Sequence, residues 1–282
     1  MVYSTLNCID IPELHTDFQG FRKISGIYST ALNYEGALSF DFSKSKPIEA
    51  NMCAVLGLIL EVLKQKNKAF SLKLDERSRI NITLSKNGFY NVYCKKKLLD
   101  DIFDTSIDYK VFYREIEKPF AEYVFDYFKQ DKNGLSIFGP EVLKYFRRSL
   151  LEVASNTRQH SDSNIFITCG QLFPNERKLK FTMSDAGIGF AEHIKNNKRI
   201  AMCSQKAIRW ALTGNNSARP IEHGVSGGFG LKYIRKFIEH NKGELYIISH
   251  DGFYQNLRGS EYSQNIQPAF PGTIVSLAIN CC

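Results

Sequence analysis

Glu152 and Asn156 stand four residues apart in a stretch that reads as helix, so their side chains share one face. A carboxylate beside an amide can divide labour. The amide oxygen can ligate a hard Mg2+ ion, which takes oxygen donors and keeps several of its waters. The carboxylate can polarise an attacking water or hydroxyl. Further on, Asp185-Ala186-Gly187-Ile188-Gly189 follows the apolar run Leu179–Met183. A carboxylate buried at a strand end can accept the amino proton of adenine, and Gly187 and Gly189 permit a backbone approach that a Cβ would block. A third segment, Gly224-Val225-Ser226-Gly227-Gly228-Phe229-Gly230-Leu231, leads into a helix and offers its backbone N–H groups as an anion site. No apolar strand precedes this segment and it lacks a Gly-Lys-Ser/Thr ending, so it is neither a dinucleotide-binding loop nor a P-loop. Gly272-Thr273 opens the last strand-like run. Each piece alone has a plainer reading: the polar side of an amphipathic helix, an Asp-Gly turn, a glycine-rich loop. His160, four past Asn156, reads as a helix-end histidine that suits the helix dipole.

The elements that must carry these residues follow from periodicity. Pro140 opens a helix running to about Arg158, with Leu143, Phe146, Leu150 and Val153 on its core side. Strands are expected at Asn164–Gly170 and Lys178–Ser184, joined through Pro174-Asn175. A polar helical region follows at Ala191–Ala211, then a mobile loop at Thr213–Gly228, a helix at Phe229–His240, and strands at Leu245–Ser249 and Thr273–Ile279. Upstream, Ala37–Phe42 alternates as a strand, Pro47–Lys64 has helical spacing, and Ala69–Leu74 reads as a second strand. Ile80–Leu84 is a third strand candidate, leading into the Asn87-Gly88 turn. Tyr109–Gln130 reads as a long aromatic helix interrupted at Pro119, with a turn at Asp131-Lys132-Asn133-Gly134 beyond it. A domain boundary is expected near residue 108, giving units 1–107 and 108–282.

The four chemical segments, in this order, resemble the motifs of the GHKL superfamily of ATP-binding proteins (gyrases, heat-shock chaperones, histidine kinases and mismatch-repair proteins). The resemblance covers about residues 140–282. It implies a Bergerat-type α/β sandwich with a mixed sheet covered by helices on one face, and ATP and Mg2+ as ligands. It makes Glu152 the general base and Asn156 the metal ligand. Asp185 becomes the residue that reads adenine, with Gly187 and Gly189 beside it. The stretch holding Gly224, Gly227, Gly228, Phe229, Gly230 and Leu231 becomes the lid and phosphate-binding helix start, and Thr273 binds adenine through water. More weakly, the first half resembles a STAS-type α/β domain: Phe40-Asp41-Phe42, then Pro47-Ile48-Glu49-Ala50-Asn51-Met52 opening a helix, then Phe70–Leu74, with Leu84–Phe89 as its late turn. Glu49, Ala50 and Asn51 stand where sporulation-type STAS domains carry a phosphorylatable hydroxyl, so regulation by contact rather than by phosphorylation is expected, through the aromatic helix.

The whole is read as a cytoplasmic Mg-ATP-binding protein that hydrolyses ATP slowly and couples its nucleotide state to an unidentified protein partner. The alternatives are a protein serine/threonine kinase of the anti-sigma-factor type and a non-enzymatic ATP-gated binder. A histidine kinase is disfavoured because His15 is the sole histidine before the Glu152 helix and has no heptad pattern around it. The gyrase, chaperone and mismatch-repair pattern is disfavoured because a second domain is expected after the ATP site. A homodimer is compatible with the sequence. At 43% hydrophobic and 23% charged residues the chain has an ordinary globular composition. The net charge of +8 is spread along the length, so nucleic acid is not expected as a partner. Seven cysteines without a C-x-x-C pair argue against a disulfide framework or a zinc site. The start lacks a signal-peptide pattern, and Ala54–Leu63 is too short and too interrupted to span a bilayer.

Overall fold

The computed structural model describes residues 7–44, 47–75, 78–114, 116–128, 135–214 and 230–281. It is an α/β structure with two sheets. The first is parallel, in the order β1 (Asn7–Asp10), β2 (Leu38–Asp41), β3 (Phe70–Lys73). Helices α1 (Phe18–Asn33) and α2 (Cys53–Gln65) make the two crossovers, and a short 3-10 turn, Ala50–Met52, leads into α2. Asp17 caps α1 by accepting from the Gly20 N–H at 2.7 Å. Helices α3 (Arg79–Lys86) and α4 (Phe89–Cys94) complete this unit.

The second sheet has seven strands. They are β4 (Ser106–Tyr113), β5 (Ile165–Phe173), β6 (Lys178–Asp185), β7 (Glu244–Ser249), β8 (Gly252–Leu257), β9 (Ser260–Asn265) and β10 (Thr273–Asn280). Their order is β4-β5-β6-β10-β7-β8-β9, and every described pairing is antiparallel. A mixed sheet was the expectation. The Gly252–Asn265 hairpin, which the sequence reading leaves unassigned, extends it by two strands. One face is covered by α5 (Glu117–Tyr127), α6 (Pro140–His160), α8 (Ser204–Thr213) and α9 (Gly230–Asn241), whose apolar residues join Leu179, Phe181 and Met183 of β6 in one core.

The other face is not left to solvent. Residues Ile165, Ile167 and Cys169 of β5, Tyr246 and Ile248 of β7, Phe253 of β8 and Ile274 of β10 share a core with α1, α2 and the parallel sheet. Helix α2 is buried at every position from Cys53 to Leu63, as a helix must be when both of its sides are packed. Its buried Glu61 is satisfied by the Tyr93 hydroxyl at 3.0 Å, the Tyr113 hydroxyl at 2.9 Å and Lys64 at 2.8 Å.

A polar stripe fixes the docking. On β6, Lys180, Thr182 and Ser184 alternate with the core residues and so face α2. Ser184 Oγ donates to the Ala54 carbonyl at 2.8 Å. Asn51 Nδ2 donates to Thr182 Oγ1 and to Thr16 Oγ1, both at 2.8 Å. Ala50 N–H donates to Gln171 Oε1 at 2.7 Å. Lys180 Nζ meets Glu49 Oε1 at 2.6 Å, with both side chains largely buried. Burial works to raise the Glu49 carboxyl, but Lys180 and Thr16 override it and hold it below its ordinary value.

Several expectations are corrected. Ile80–Leu84 is helix α3, because Ser78 caps it through the Asn81 N–H and Ile80 and Leu84 are buried one turn apart while Ile82 is exposed. Tyr109 belongs to a strand: β4 pairs with β5, a register shift after Ile107 leaves Ile107 in the helix-side core and Tyr109 in the opposite one, and the aromatic helix begins only at Glu117. Residue 108 therefore falls within β4. The first unit reaches the second through α2 and the stripe on β6, whereas α5 packs on the opposite face. Ala191–Ala211 is two helices, α7 (Gly189–Lys198) and α8, separated at Arg199, which takes a left-handed conformation with φ 60°. The Asp131-Lys132-Asn133-Gly134 turn, residues 215–228 of the loop and residue 229 of the helix expected after it lie outside the described residues. Among the described residues no helix is long and apolar enough to cross a membrane.

Candidate nucleotide site

Strands β6 and β7 end, and β10 begins, at one rim of the antiparallel sheet. Asp185, Thr273 and Ser249 lie directly opposite one another across β6, β10 and β7. Opposed residues point to the same face, and that face is the one bearing α6. Asp185 is 4% exposed and Thr273 8% exposed. The Asp185 carboxylate accepts from the Gly187 N–H at 2.8 Å and from Thr157 Oγ1 at 3.2 Å, and is hydrogen-bonded by Ser161. A carboxylate has about four acceptor positions, so these three donors leave room for one more. Burial pushes the Asp185 carboxyl up to about 7, against the pull of those donors.

The loop after Asp185 has nearly all its backbone donors assigned. Ala186 N–H donates to Ser163 Oγ at 3.2 Å, Ile188 N–H to the Ser161 carbonyl at 2.7 Å, and Phe190 N–H to Ser249 Oγ at 3.0 Å. His250 Nε2 lies 2.8 Å from the Ile188 carbonyl and donates to it. The glycines are required by close packing. A Cβ on Gly187 would stand 2.1 Å from the Ser161 carbonyl oxygen. On Gly189, at φ +70°, it would meet Ser249 Oγ at 2.6 Å. On Gly272, at φ +93°, it would stand 2.0 Å from the Asp185 carbonyl oxygen. The rim is thus a closely packed, hydrogen-bonded cradle around one buried carboxylate.

Helix α6 brings the remaining residues. Pro140 occupies its first turn, and Leu143, Phe146, Leu150 and Val153 face the core as the periodicity predicts. Thr157 is the link to Asp185, and Asn156 is its neighbour in the chain. Glu152 lies one turn earlier, about 6 Å along the axis. Both Glu152 and Asn156 are half-buried. Burial raises the Glu152 carboxyl above its ordinary value, and the charge of Arg148 opposes this. Among the described residues, no hydrogen bond occupies the Asn156 amide. Helix α9 packs along the same side of α6. The rings of Tyr145 and Tyr233 lie 6.0 Å apart, those of Tyr145 and Phe237 6.2 Å apart, and the Arg148 guanidinium lies 4.4 Å from the Tyr233 ring centre. Gly230 opens α9 and Leu231 is buried in the helix-side core.

Of the residues singled out in the sequence, the structure therefore gathers Asp185, Gly187, Gly189 and Thr273 at one rim, with Glu152 and Asn156 on the adjoining helix and Gly230 and Leu231 at the start of α9. Gly224, Gly227, Gly228 and Phe229 lie outside the described residues. The sequence reading missed Thr157, Ser161, Ser163, Ser249 and His250. Thr157 and Ser161 follow Asn156 on the same helix and its end, and Ser249-His250 closes an expected strand, so position was the available signal. His160 packs its ring 4.4 Å from that of His193 on α7.

No family model matches the sequence, and no curated protein matches it. Among solved structures, the mycobacterial sensor histidine kinase MprB matches with 17% identity and a TM-score of 0.26, over 49% of this chain and 72% of that one.

Proposed function

We propose that the unit built on the antiparallel sheet binds Mg-ATP and hydrolyses it slowly, and that its nucleotide state is read by a protein partner. The observation that carries this reading is Asp185: a carboxylate buried at a strand end, supplied with three donors and room for a fourth, in a cradle of glycines and beside Thr273. The amino group of adenine would donate to the remaining acceptor position, whereas guanine presents a carbonyl at the equivalent place. Asn156, whose amide makes no hydrogen bond among the described residues, would hold Mg2+, which when bound neutralises phosphate charge. The start of α9 at Gly230 offers backbone donors to an anion.

Glu152 favours hydrolysis over binding alone. Burial makes its carboxyl more basic than an exposed glutamate, which suits a general base at neutral pH. Its role is to take a proton from an attacking water, while Asp185 holds the adenine ring. Coupling to a partner has a physical route in β6. One face of this strand leads to Asp185, and the other carries the Lys180, Thr182 and Ser184 stripe on which the first unit docks.

The test is calorimetry with ATP and GTP, with and without Mg2+, alongside phosphate release. An unmet buried acceptor costs about 1–3 kcal/mol, so ATP should bind roughly tenfold or more tightly than GTP. Equal affinities would remove the adenine-reading role of Asp185 and with it the basis of the proposal.

A further inference from the structure

We propose that Arg148 is a positioning residue for Glu152, held in place by the ring of Tyr233 at the start of the phosphate-side helix. The proposal rests on the nucleotide reading above and adds a part of its machinery that none of the sequence motifs marks. Arg148, Glu152 and Asn156 follow one another at intervals of one turn, so they form a single ladder on one face of α6. The guanidinium at the first rung lies 4.4 Å from the centre of the Tyr233 ring, within cation–π range. Tyr233 is in the first turn of α9, which opens at Gly230. Tyr145 lies against the same ring at 6.0 Å and against Phe237 at 6.2 Å, so the ring is buttressed. Arg148 therefore ties the face carrying the base to the helix whose start would receive phosphate.

The electrostatics agree with this placement. Burial raises the Glu152 carboxyl, and Arg148 is the charged group that opposes it. From α9 the facing titratable group is the Tyr233 phenol, which burial raises and which stays neutral at physiological pH; Glu141 of α6 acts on that phenol and not on Glu152. A cation fixed one turn away keeps the carboxylate ionised, and so competent as a base, at a lower pH than burial alone would allow.

The experiment follows Glu152 directly in the full chain, without nucleotide, by carbon-13 NMR of labelled glutamate, with its signal assigned by loss in Glu152→Gln. Arg148→Met is expected to move the Glu152 titration to higher pH. Arg148→Lys, which keeps the charge but not the planar stacking surface, should move it less. Tyr233→Leu should move it in the same direction with Arg148 still present, and Tyr233→Phe should leave it in place. If Arg148→Met does not fold, Tyr233→Leu carries the test. A Glu152 titration that stays put in these variants overturns the proposal. The acid limb of phosphate release should then shift with the titration, and a rate that falls with no shift in its pH profile also overturns the positioning role. A titration that moves in a chain releasing no phosphate supports the Arg148–Glu152 pairing and refutes hydrolysis, so the two failures are distinguishable.

Discussion

Asp185→Asn should make the protein more stable at alkaline pH while impairing the function proposed for it. The Asp185 carboxyl is 4% exposed and is pushed up from 3.8 to about 7, chiefly by burial. A folded-state value raised above the unfolded one means that the folded chain binds the proton more tightly. Its contribution to stability is complete below about pH 4 and is lost as pH rises through about 7. A shift of about 3 units corresponds to about 4 kcal/mol, an upper figure for the cost of keeping this carboxylate ionised in the fold. Asparagine never ionises, and its side-chain oxygen can still accept from the Gly187 N–H. Against that gain stands a rearranged contact with Thr157, worth about 1 kcal/mol. Urea unfolding should therefore show Asp185→Asn more stable than the parent by a few kcal/mol at pH 8.5, with the difference closing at pH 4.5. Adenine needs the ionised acceptor, so the parent's ATP affinity should weaken about tenfold per unit below pH 7. A variant less stable than the parent at pH 8.5, or an advantage that does not depend on pH, would refute the reasoning, because the buried charge would not then be a cost of the site.

Glu152→Ala should lower phosphate release by about 10²–10⁴-fold and leave ATP affinity nearly unchanged in calorimetry, since a general base acts in the transition state. Asn156→Ala should differ by abolishing the Mg2+ dependence of binding. Lys180→Met leaves the largely buried Glu49 with only Thr16 and the half-exposed His15, and should cost about 1–3 kcal/mol in denaturant unfolding, more at pH 8.5 where His15 is neutral. Gly272→Ala forces a Cβ to within 2.0 Å of the Asp185 carbonyl oxygen at φ +93°, and should cost at least about 1–3 kcal/mol along with nucleotide binding, read by thermal unfolding and calorimetry.

The residues proposed for chemistry were legible because their signals are local. Glu152 and Asn156 show by spacing on one strongly periodic helix, and Asp185 by following an apolar strand and preceding two glycines. What was illegible depends on contacts between distant segments. The run Lys178–Asp185 alternates polar and apolar residues, which in an antiparallel strand ordinarily means one wet face. Here Lys180, Thr182 and Ser184 are buried, because Glu49, Asn51 and the Ala54 carbonyl supply their partners from over a hundred residues away. Periodicity distinguishes the two faces of a strand, but it cannot tell whether the polar face meets water or another polar surface. The misreading at Ile80–Leu84 has the same root on a smaller scale. Five residues with two isoleucines and a leucine satisfy a strand pattern, and only the Ser78 cap and the burial of Ile80 with Leu84 decide for helix.

The two-sided burial of the antiparallel sheet changes what removing the first unit would mean. A chain beginning near Tyr109 would lack α1, α2 and the parallel sheet, and would expose Ile165, Ile167 and Cys169 on one side of the β6 stripe and Ile274, Ile248 and Phe253 on the other. It would also leave Lys180 without Glu49 and Ser184 without the Ala54 carbonyl. Exposed apolar patches beyond a few hundred Å2 drive association, so such a chain is expected to aggregate rather than report on isolated nucleotide chemistry. Substitutions confined to the stripe are the sounder probe. Asn51→Ala removes donors to Thr16 and Thr182 while leaving the apolar contacts of α2 intact. If the docked unit acts on the site through β6, this change should alter ATP affinity measured by calorimetry, and by linkage a partner that favours the ATP-bound form should lose or gain affinity by the same factor. An Asn51→Ala protein of lowered stability but unchanged ATP affinity would show that the stripe holds the fold together without carrying a signal to Asp185.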